Sequence, residues 1–386
     1  MSKLYRYIFI TENSRFLHLA FYIVLRIIKT DTQRENMEFL RNNFYCGHGR
    51  VMLDAVKQGR VFVELDGKLL HRYDENIAAA PDPMKFNNIG GNSLWPAPEG
   101  GEFAFNYLND CGNSWLVQPG VNCAASTFLA APFPVCSRRV TLHNRRGYEM
   151  EVEFRRGIFP LAPEAIALSG AVRFTGYREE DLLLLSSPCA PESAVIAAWS
   201  LEQFPGSDGI VAFGKLRGVS DASEAINRTY YGDPSDSLEF GAGFFRFHLG
   251  GTERLQIGVK ASARPEFIGA YDPNRNLLIL RSSLPGQGRR IDIADNIQQA
   301  GVFGAADQYS IFNGGAMDFF ELETIAPVEF SADGLVTGSH LVSETRFYQG
   351  PREELERLLT QSFGMSESFF QLKGGCDGRE QSSAGI

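Results

Sequence analysis

Two glutamates in one predicted strand are the residues of this sequence best placed for proton transfer. In residues 318–324, strand alternation puts Glu321 and Glu323 on the same face, and the neighbouring Phe319 and Phe320 favour burial of the strand. Side chains two residues apart stand about 7 Å apart along a strand. Carboxyl groups this close alter each other's proton affinity when they are shielded from water. One glutamate can then act as a general base, whereas on a solvated strand both are ordinary surface charges.

Residues 90–101, rich in glycine and proline, are predicted to form a stiff loop that presents an aromatic ring beside a carboxylate. Its glycines permit unusual backbone angles, while Pro96 and Pro98 each fix φ. Trp95 and Glu99 are therefore expected in a set geometry. A flat apolar face beside a hydrogen-bonding group suits a sugar ring. The alternative is a structural turn with a buried Trp95 and a solvated Glu99.

Other ionisable side chains begin or end predicted strands. Lys260 ends an apolar run, where it can hold a hydroxyl or carboxylate of a ligand or simply lie at the surface. His340 begins an alternating run, and because histidine titrates near neutral pH it can give or take a proton. His248 is a second candidate of the same kind. A single strand histidine is, however, more often structural than catalytic.

The composition is that of a globular protein and excludes several function classes. The 386 residues are 44% apolar and 12% aromatic, which is enough for a large core. A net charge of −9 disfavours nucleic acid and anionic membranes as main partners, since both bind clustered Lys and Arg. The sequence contains no phosphate-binding loop, dinucleotide fingerprint, Gly-x-Ser-x-Gly elbow or His-Glu-x-x-His motif, so we expect no cofactor and no metal. The six cysteines form no Cys-x-x-Cys pair, which favours reduced, buried thiols.

Period-two alternation predicts a chain made mostly of β-strands. Residues 148–154 alternate apolar and acidic side chains, and residues 61–65 and 68–70 flank an Asp-Gly pair that favours a hairpin turn. The best helical pattern is residues 351–363, which begin with proline and are followed by glycine. Because no linker or repeat interrupts the strands, we expect one large antiparallel β domain of two packed sheets.

The two ends of the chain differ from this pattern. We expect residues 37–372 to form the single β domain, and residues 373–386, which lack any apolar period, to be disordered. Residues 1–36 are interpreted as an N-terminal extension, either an over-called start or an interfacial helix. Their apolar stretch is too short to span a bilayer comfortably. A cytoplasmic location is expected, or a periplasmic one if this stretch is a signal.

Several short motifs, in their order and spacing, resemble a bacterial family of the galactose mutarotase-like superfamily. The resemblance covers about residues 40–365. It rests on GGNSLWPAPE at 90–99, WSLEQF at 199–204, QIGVK at 256–260, GAYD at 269–272, NGG at 313–315, FELE at 320–323 and GSH at 338–340.

The resemblance implies a β-supersandwich of large antiparallel sheets with a ligand groove on the concave face of one sheet. Characterised members of the superfamily act on or bind carbohydrates. In the aldose epimerases, a glutamate takes the proton of the anomeric hydroxyl while a histidine protonates the ring oxygen. This implies Glu321 or Glu323 as the base and His340 as the acid.

Carried over in the same way, the sugar would be bound by Trp95, Glu99, Lys260 and Asn313. The sequence departs from the epimerases in lacking their paired-histidine motifs in the first half of the chain. Two other functions therefore stay open beside anomeric epimerisation. One is a non-catalytic glycan-binding protein, and the other is a relative of glycoside hydrolases or polysaccharide lyases in which the glutamate pair acts as acid and base.

Overall fold

The structure is a computed structural model. It describes residues 42–54, 59–82, 88–108, 115–118, 121, 126–163, 170–294, 303–304, 306–366 and 369. The predicted N-terminal extension, residues 1–36, and the predicted disordered tail, residues 373–386, lie outside the described residues. No helix among the described residues is both long enough and apolar enough to cross a membrane.

Most strands belong to two large antiparallel sheets and are numbered along the chain. In spatial order, the first sheet contains β1 (Asn43–Cys46), β2 (Gly49–Asp54), β3 (Arg60–Leu65), β5 (Gly91–Ala97), β12 (Ala197–Pro205), β21 (Phe319–Ile325), β20 (Asp307–Asn313), β17 (Leu255–Lys260) and β14 (Ile226–Asn227), with β4 (Lys68–Leu69) paired to β3.

The second sheet contains, in spatial order, β15 (Leu238–Gly241), β16 (Phe244–His248), β13 (Val211–Leu216), β18 (Pro265–Asp272), β19 (Leu277–Ser283), β23 (Val336–Gln349), β11 (Arg173–Cys189), β10 (Glu149–Pro160), β9 (Val135–His143) and β8 (Thr127–Phe128), with β22 (Val328–Phe330) paired to β23. A separate hairpin joins β6 (Asn106–Leu108) and β7 (Trp115–Val117). The described helices are α1 (Glu75–Ala79), α2 (Arg352–Phe363) and four short 3₁₀ turns.

The two sheets pack face to face across a shared apolar core. Leu322 and Ile257 of the first sheet and Ile279 of the second are fully buried in the same cluster. The rings of Phe204 on β12 and Phe347 on β23 lie 6.1 Å apart, across the two layers. The structure therefore confirms the all-β sandwich of large antiparallel sheets with few short helices that the sequence predicts.

A buried network of ion pairs also joins the two sheets. Arg281 on β19 contacts Glu202 on β12, and its guanidinium lies 2.6 Å from Glu179 on β11. Arg156 on β10 lies 2.6 Å from Asp181. Charges withdrawn from water are costly unless each is paired and hydrogen-bonded, and these groups have such partners. The network therefore holds the inward-facing Glu202 of β12 in place.

The predicted hairpin and the longest predicted helix are both confirmed. Asp66 and Gly67 adopt positive φ angles of 48° and 76° between β3 and β4, as a tight turn requires. Helix α2 packs Phe363 against Phe267 and Tyr348 of the second sheet and is capped by Gly364, which has a left-handed conformation.

The glycine- and proline-rich segment at residues 90–101 differs from its prediction as a loop. Residues Gly91–Ala97 form β5, a fully buried strand between β3 and β12. A Cβ at Gly91 would lie 2.8 Å from the Val61 carbonyl, so glycine allows the two strands to approach closely here. Residues 91–97 are therefore a strand of the same sheet that carries Glu321 and Glu323.

Candidate functional site

Glu321 and Glu323 project from the outward face of the first sheet, away from the core. Phe320 and Leu322 alternate with them and pack in the core between the sheets. Both glutamates are nevertheless buried, with only 4% of Glu321 and 1% of Glu323 exposed. The strand alternation predicted from the sequence therefore places two carboxyl groups together in a water-poor environment.

Side chains of the neighbouring strand β12 orient the two carboxyl groups. The Gln203 amide Nε2 donates a hydrogen bond to Glu321 Oε1 at 2.6 Å, and the Trp199 indole Nε1 donates to Glu323 Oε2 at 3.0 Å. Gln203 stands directly opposite Glu321 in the ladder between the strands. Both donors stabilise negative charge, so each carboxyl is held in place and can be ionised.

Burial raises the pKa of both Glu321 and Glu323 above the ordinary range. The charge of Glu321 raises the pKa of Glu323 further, and the two side chains are hydrogen-bonded to each other. The positive charges of Arg60 and Arg254 favour ionisation of Glu321. A pair of this kind favours sharing one proton between the two carboxyls, because two charges in contact cannot both be desolvated cheaply.

Indole rings and polar side chains lie beside the pair on the same outward face. The rings of Trp95 and Trp199 meet edge to face, with centroids 6.4 Å apart. Ser310 on β20 is hydrogen-bonded to Glu323 and accepts a hydrogen bond from Gln256 Nε2 at 2.9 Å. This combination of aromatic rings and hydrogen-bonding groups is what a polyhydroxylated ligand requires.

An arginine and several aromatic rings border the site on the side of β17. The Arg254 guanidinium lies 4.4 Å from the ring centroid of Tyr231 and 5.5 Å from that of Phe312. Burial raises the pKa of Tyr231, and the charge of Glu99 raises it further. The charge of Glu99 also raises the pKa of Glu323, so Glu99 belongs to the same electrostatic environment.

Two of the predicted binding residues therefore lie with the glutamate pair, and two do not. Trp95 packs edge to face against Trp199 on this outward face, and Glu99 lies close enough to Glu323 for its charge to raise the pKa of Glu323. Lys260 instead donates from Nζ to the Glu224 carbonyl at 2.9 Å.

Asn313, the fourth predicted binding residue, ties the end of β20 to a neighbouring loop. Its Nδ2 donates to the Gly250 carbonyl at 2.8 Å, and its Oδ1 accepts from the Gly250 amide. Its side chain is therefore committed to the backbone of the fold.

His340 lies on the far side of the sandwich from the glutamate pair. Its neighbours Ser339 and Leu341 on β23 point inward, and Ser339 Oγ accepts a hydrogen bond from the Ala198 amide of the first sheet at 2.9 Å. His340 therefore points outward from the second sheet. It cannot protonate a sugar bound at Glu323, so the predicted acid partner is absent from this position.

Sequence reasoning missed most of the residues that orient the pair. Trp199 and Gln203 lie in the WSLEQF motif, whose alternation puts both on one face of β12. That alternation was the available signal. The pairing of β12 with β21 could not be read from the sequence, since more than a hundred residues separate the two strands.

Two solved structures resemble this chain at low sequence identity. The Slr1438 protein from Synechocystis sp. PCC 6803 is 14% identical, with a TM-score of 0.43 over 79% of this chain and 93% of that one. An Escherichia coli K12 protein provisionally named as an aldose 1-epimerase is 12% identical, with a TM-score of 0.44 over 80% of this chain and 99% of that one. Likeness at this level does not carry an activity from those proteins to this one.

Sequence comparison gives the family without giving an activity. No protein of curated function matches the chain. A family model matches residues 47–369, which is most of the chain and includes every residue of the site described above. The protein therefore belongs to the family of unknown function DUF6786.

Proposed function

We propose that this protein binds a carbohydrate on the outward face of the first sheet and interconverts its anomers by proton transfer. The observation that carries the proposal is the buried carboxyl pair of Glu321 and Glu323, whose two members are hydrogen-bonded to each other and to neighbouring donors. A buried pair that shares one proton can accept a second one, because burial raises the pKa of both groups. That is the property required of a general base.

In the proposed reaction, Glu323 passes the proton it shares to Glu321 and takes the proton of the anomeric hydroxyl. The ring oxygen meanwhile gains a proton from a second group. The bond between the anomeric carbon and the ring oxygen breaks, and an open-chain aldehyde forms. Rotation of the aldehyde and reclosure give the other anomer. The indole donor from Trp199 keeps the Glu323 carboxyl in one orientation throughout.

The spacing of the pair argues against glycoside hydrolysis by these two residues. Hydrolases separate their acid and base carboxyls by about 5–5.5 Å when they retain configuration and by about 6.5–9.5 Å when they invert it. The carboxyls of Glu321 and Glu323 are in hydrogen-bond contact. They act as one proton-sharing unit and leave no room between them for a glycosidic bond.

A second candidate is sugar binding without turnover. Among the described histidines, none lies on the outward face of the first sheet: His71 is in the core network, His48 contacts the backbone of Phe174, and the remainder lie on the second sheet. A binding protein needs no acid. An epimerase with this site needs a residue other than histidine to protonate the ring oxygen.

Anomer exchange measured on pure aldoses tests the proposal. Freshly dissolved α-anomers of several aldoses are followed by polarimetry with and without the wild-type protein, and binding is measured in parallel by calorimetry. We expect a protein-dependent acceleration for at least one aldose. Binding without acceleration would support the second candidate, and neither binding nor acceleration would contradict both.

A further inference from the structure

A third carboxyl group, that of Asp307, lies on the same outward face as the glutamate pair. Gly258 on β17 faces outward, because Ile257 and Val259 on either side of it are buried in the core. A Cβ built at Gly258 would stand 2.1 Å from Asp307 Oδ2 and 2.9 Å from its Oδ1. The carboxyl group therefore lies directly over the backbone of Gly258, in space that any larger residue would fill.

The strand register places the Asp307 carboxyl over β17, two strands away from Glu323. Gly258 pairs with Ser310 on β20, and Ser310 pairs with Glu323 on β21. Neighbouring strands are about 4.8 Å apart, so the backbone beneath Asp307 lies about 10 Å from that of Glu323. Two carboxyls at this separation can contact opposite sides of one ligand.

The hydrogen bonds of Asp307 leave one of its oxygens unused. Tyr230 Oη donates to Oδ2 at 2.5 Å and Asn227 Nδ2 donates to the same oxygen at 2.9 Å. Asp307 Oδ1 is buried and has no hydrogen-bond partner among the described residues. Leaving a buried polar oxygen unpaired is unfavourable. A ligand hydroxyl can donate to Oδ1, and when Asp307 is protonated its O–H can donate to a ring oxygen.

Charges on several elements act on Asp307. Burial raises its pKa to about 6, and the charge of Asp292 contributes to the rise. The hydrogen bonds from Tyr230 and Asn227 and the charge of Lys260 oppose it. The group therefore exchanges its proton near neutral pH, as a proton donor in catalysis must.

Tyr230 connects Asp307 to the glutamate pair. Burial raises the pKa of Tyr230, and the charges of Asp307, Asp292 and Glu323 raise it further. The phenol is therefore close enough to both carboxyl groups to be influenced by each. It holds Asp307 Oδ2 and leaves Oδ1 as the oxygen that can carry a transferable proton.

We infer that Asp307 is the acid that works opposite Glu323 and supplies the ring-oxygen proton. Glu323 takes the proton from the anomeric hydroxyl, the proton on Asp307 Oδ1 passes to the ring oxygen, and the ring C–O bond breaks. Reclosure on the other face of the aldehyde returns both protons. This inference rests on the proposed function. It assigns to Asp307 the acid role that His340 cannot fill from the far side of the sandwich.

The test is anomer exchange by Asp307→Asn, measured as kcat, KM and a full pH profile. A general acid must be protonated, so the wild-type rate should fall as pH rises through the pKa of Asp307. We expect the substitution to lower kcat by about 10²–10⁴-fold, to change sugar affinity only a few-fold, and to abolish this alkaline limb. Asp236→Asn, an exposed surface substitution, should leave rate and profile as in wild type.

A second variant, Tyr230→Phe, separates a catalytic effect from misfolding. It keeps the ring but removes the donor that lowers the pKa of Asp307, so the alkaline limb should move to higher pH while activity persists. If Glu323→Gln is inactive but Asp307→Asn keeps wild-type kcat and alkaline limb, the inference is overturned and the proposed function stands. If the wild type exchanges no aldose, both are overturned.

Discussion

Burial makes the carboxyl groups of Glu321 and Glu323 costly to ionise, and this cost is the property that suits them to proton transfer. Burial raises the pKa of both groups, and the charge of Glu321 raises the pKa of Glu323 further. Indole and amide donors from Trp199 and Gln203 offset part of that cost. Such a site trades stability for reactivity.

Glu323→Gln should therefore stabilise the protein at alkaline pH. A carboxyl whose folded pKa is raised contributes stability at low pH that is lost as pH rises through the folded pKa, at about 1.4 kcal/mol per pKa unit. The amide is never ionised and can still accept from Trp199. We expect a higher melting temperature than wild type at pH 8, with the difference shrinking toward pH 4.

The matched control is Glu353→Gln, which changes an exposed glutamate of α2. Its melting temperature should follow wild type at both pH values. A Glu323→Gln protein less stable than wild type at pH 8 would show that the pair is ionised and stabilising in the folded state, contrary to the proton-sharing arrangement.

Individual side chains were predictable only where strand alternation decided their position. Alternation placed Glu321 and Glu323 together correctly. Alternation also indicated which side chains share a strand face with His340. It did not indicate which of the two sheets that strand joins, and each sheet has its own outward face. Lys260 and Asn313 stand at strand ends, where neighbouring loops rather than alternation determine their contacts.

At the scale of the element, β12 couples the core to the site. Its inward side chains Ser200 and Glu202 join the buried network around Arg281, while its outward side chains Trp199 and Gln203 hold the carboxyl pair. The network fixes the strand, and the strand in turn fixes the two donors. Rigid elements of this kind position reacting groups better than loops do.

Trp199→Phe should shift the pH dependence of anomer exchange while keeping an aromatic ring in the site. The indole N–H lowers the pKa of Glu323, so its loss raises that pKa. A general base must be deprotonated, and the limb of kcat/KM that rises with pH should therefore shift to higher pH. A rising limb that stays at the wild-type position would show that Glu323 is not the titrating base.

The structure as a whole carries buried charges that titrate in opposite directions. Although burial favours the neutral acid, the charge of Arg281 and the hydrogen bond from His71 lower the pKa of Glu202 to about 2. Burial raises the pKa of Asp181 and that of Asp307 to about 6. The folded state is thus weakened by acid through one group and by alkali through the others.

We expect the free energy of unfolding to be greatest between about pH 4 and 5. The stabilisation from Glu202 is lost as pH falls from about 4.5 toward 2, while that from the raised carboxyls is lost as pH rises from about 4 through 6. Denaturant unfolding across pH 3–8 measures the profile. Asp307→Asn should flatten the alkaline side, and a wild-type maximum above pH 7 would contradict the assignment.

The sandwich could be predicted from the sequence, but its strand order could not. Alternating runs, the Asp66 turn and the scarcity of helical patterns indicate two antiparallel sheets. The order depends on contacts between residues far apart in the chain, such as β5 with β12 and β14 with β17. Those contacts assemble the outward face, which is why the site was predictable only in part.

The measurement that bears most directly on the proposed function is the rate of anomer exchange by Glu323→Gln. Wild type, Glu323→Gln, Glu321→Gln and the Glu353→Gln control are compared by polarimetry on the aldose that the wild type accelerates. We expect Glu323→Gln to lose about 10²–10⁴-fold in kcat, Glu321→Gln to lose less, and the control to match wild type. Wild-type rates in both site variants would contradict proton transfer by the carboxyl pair.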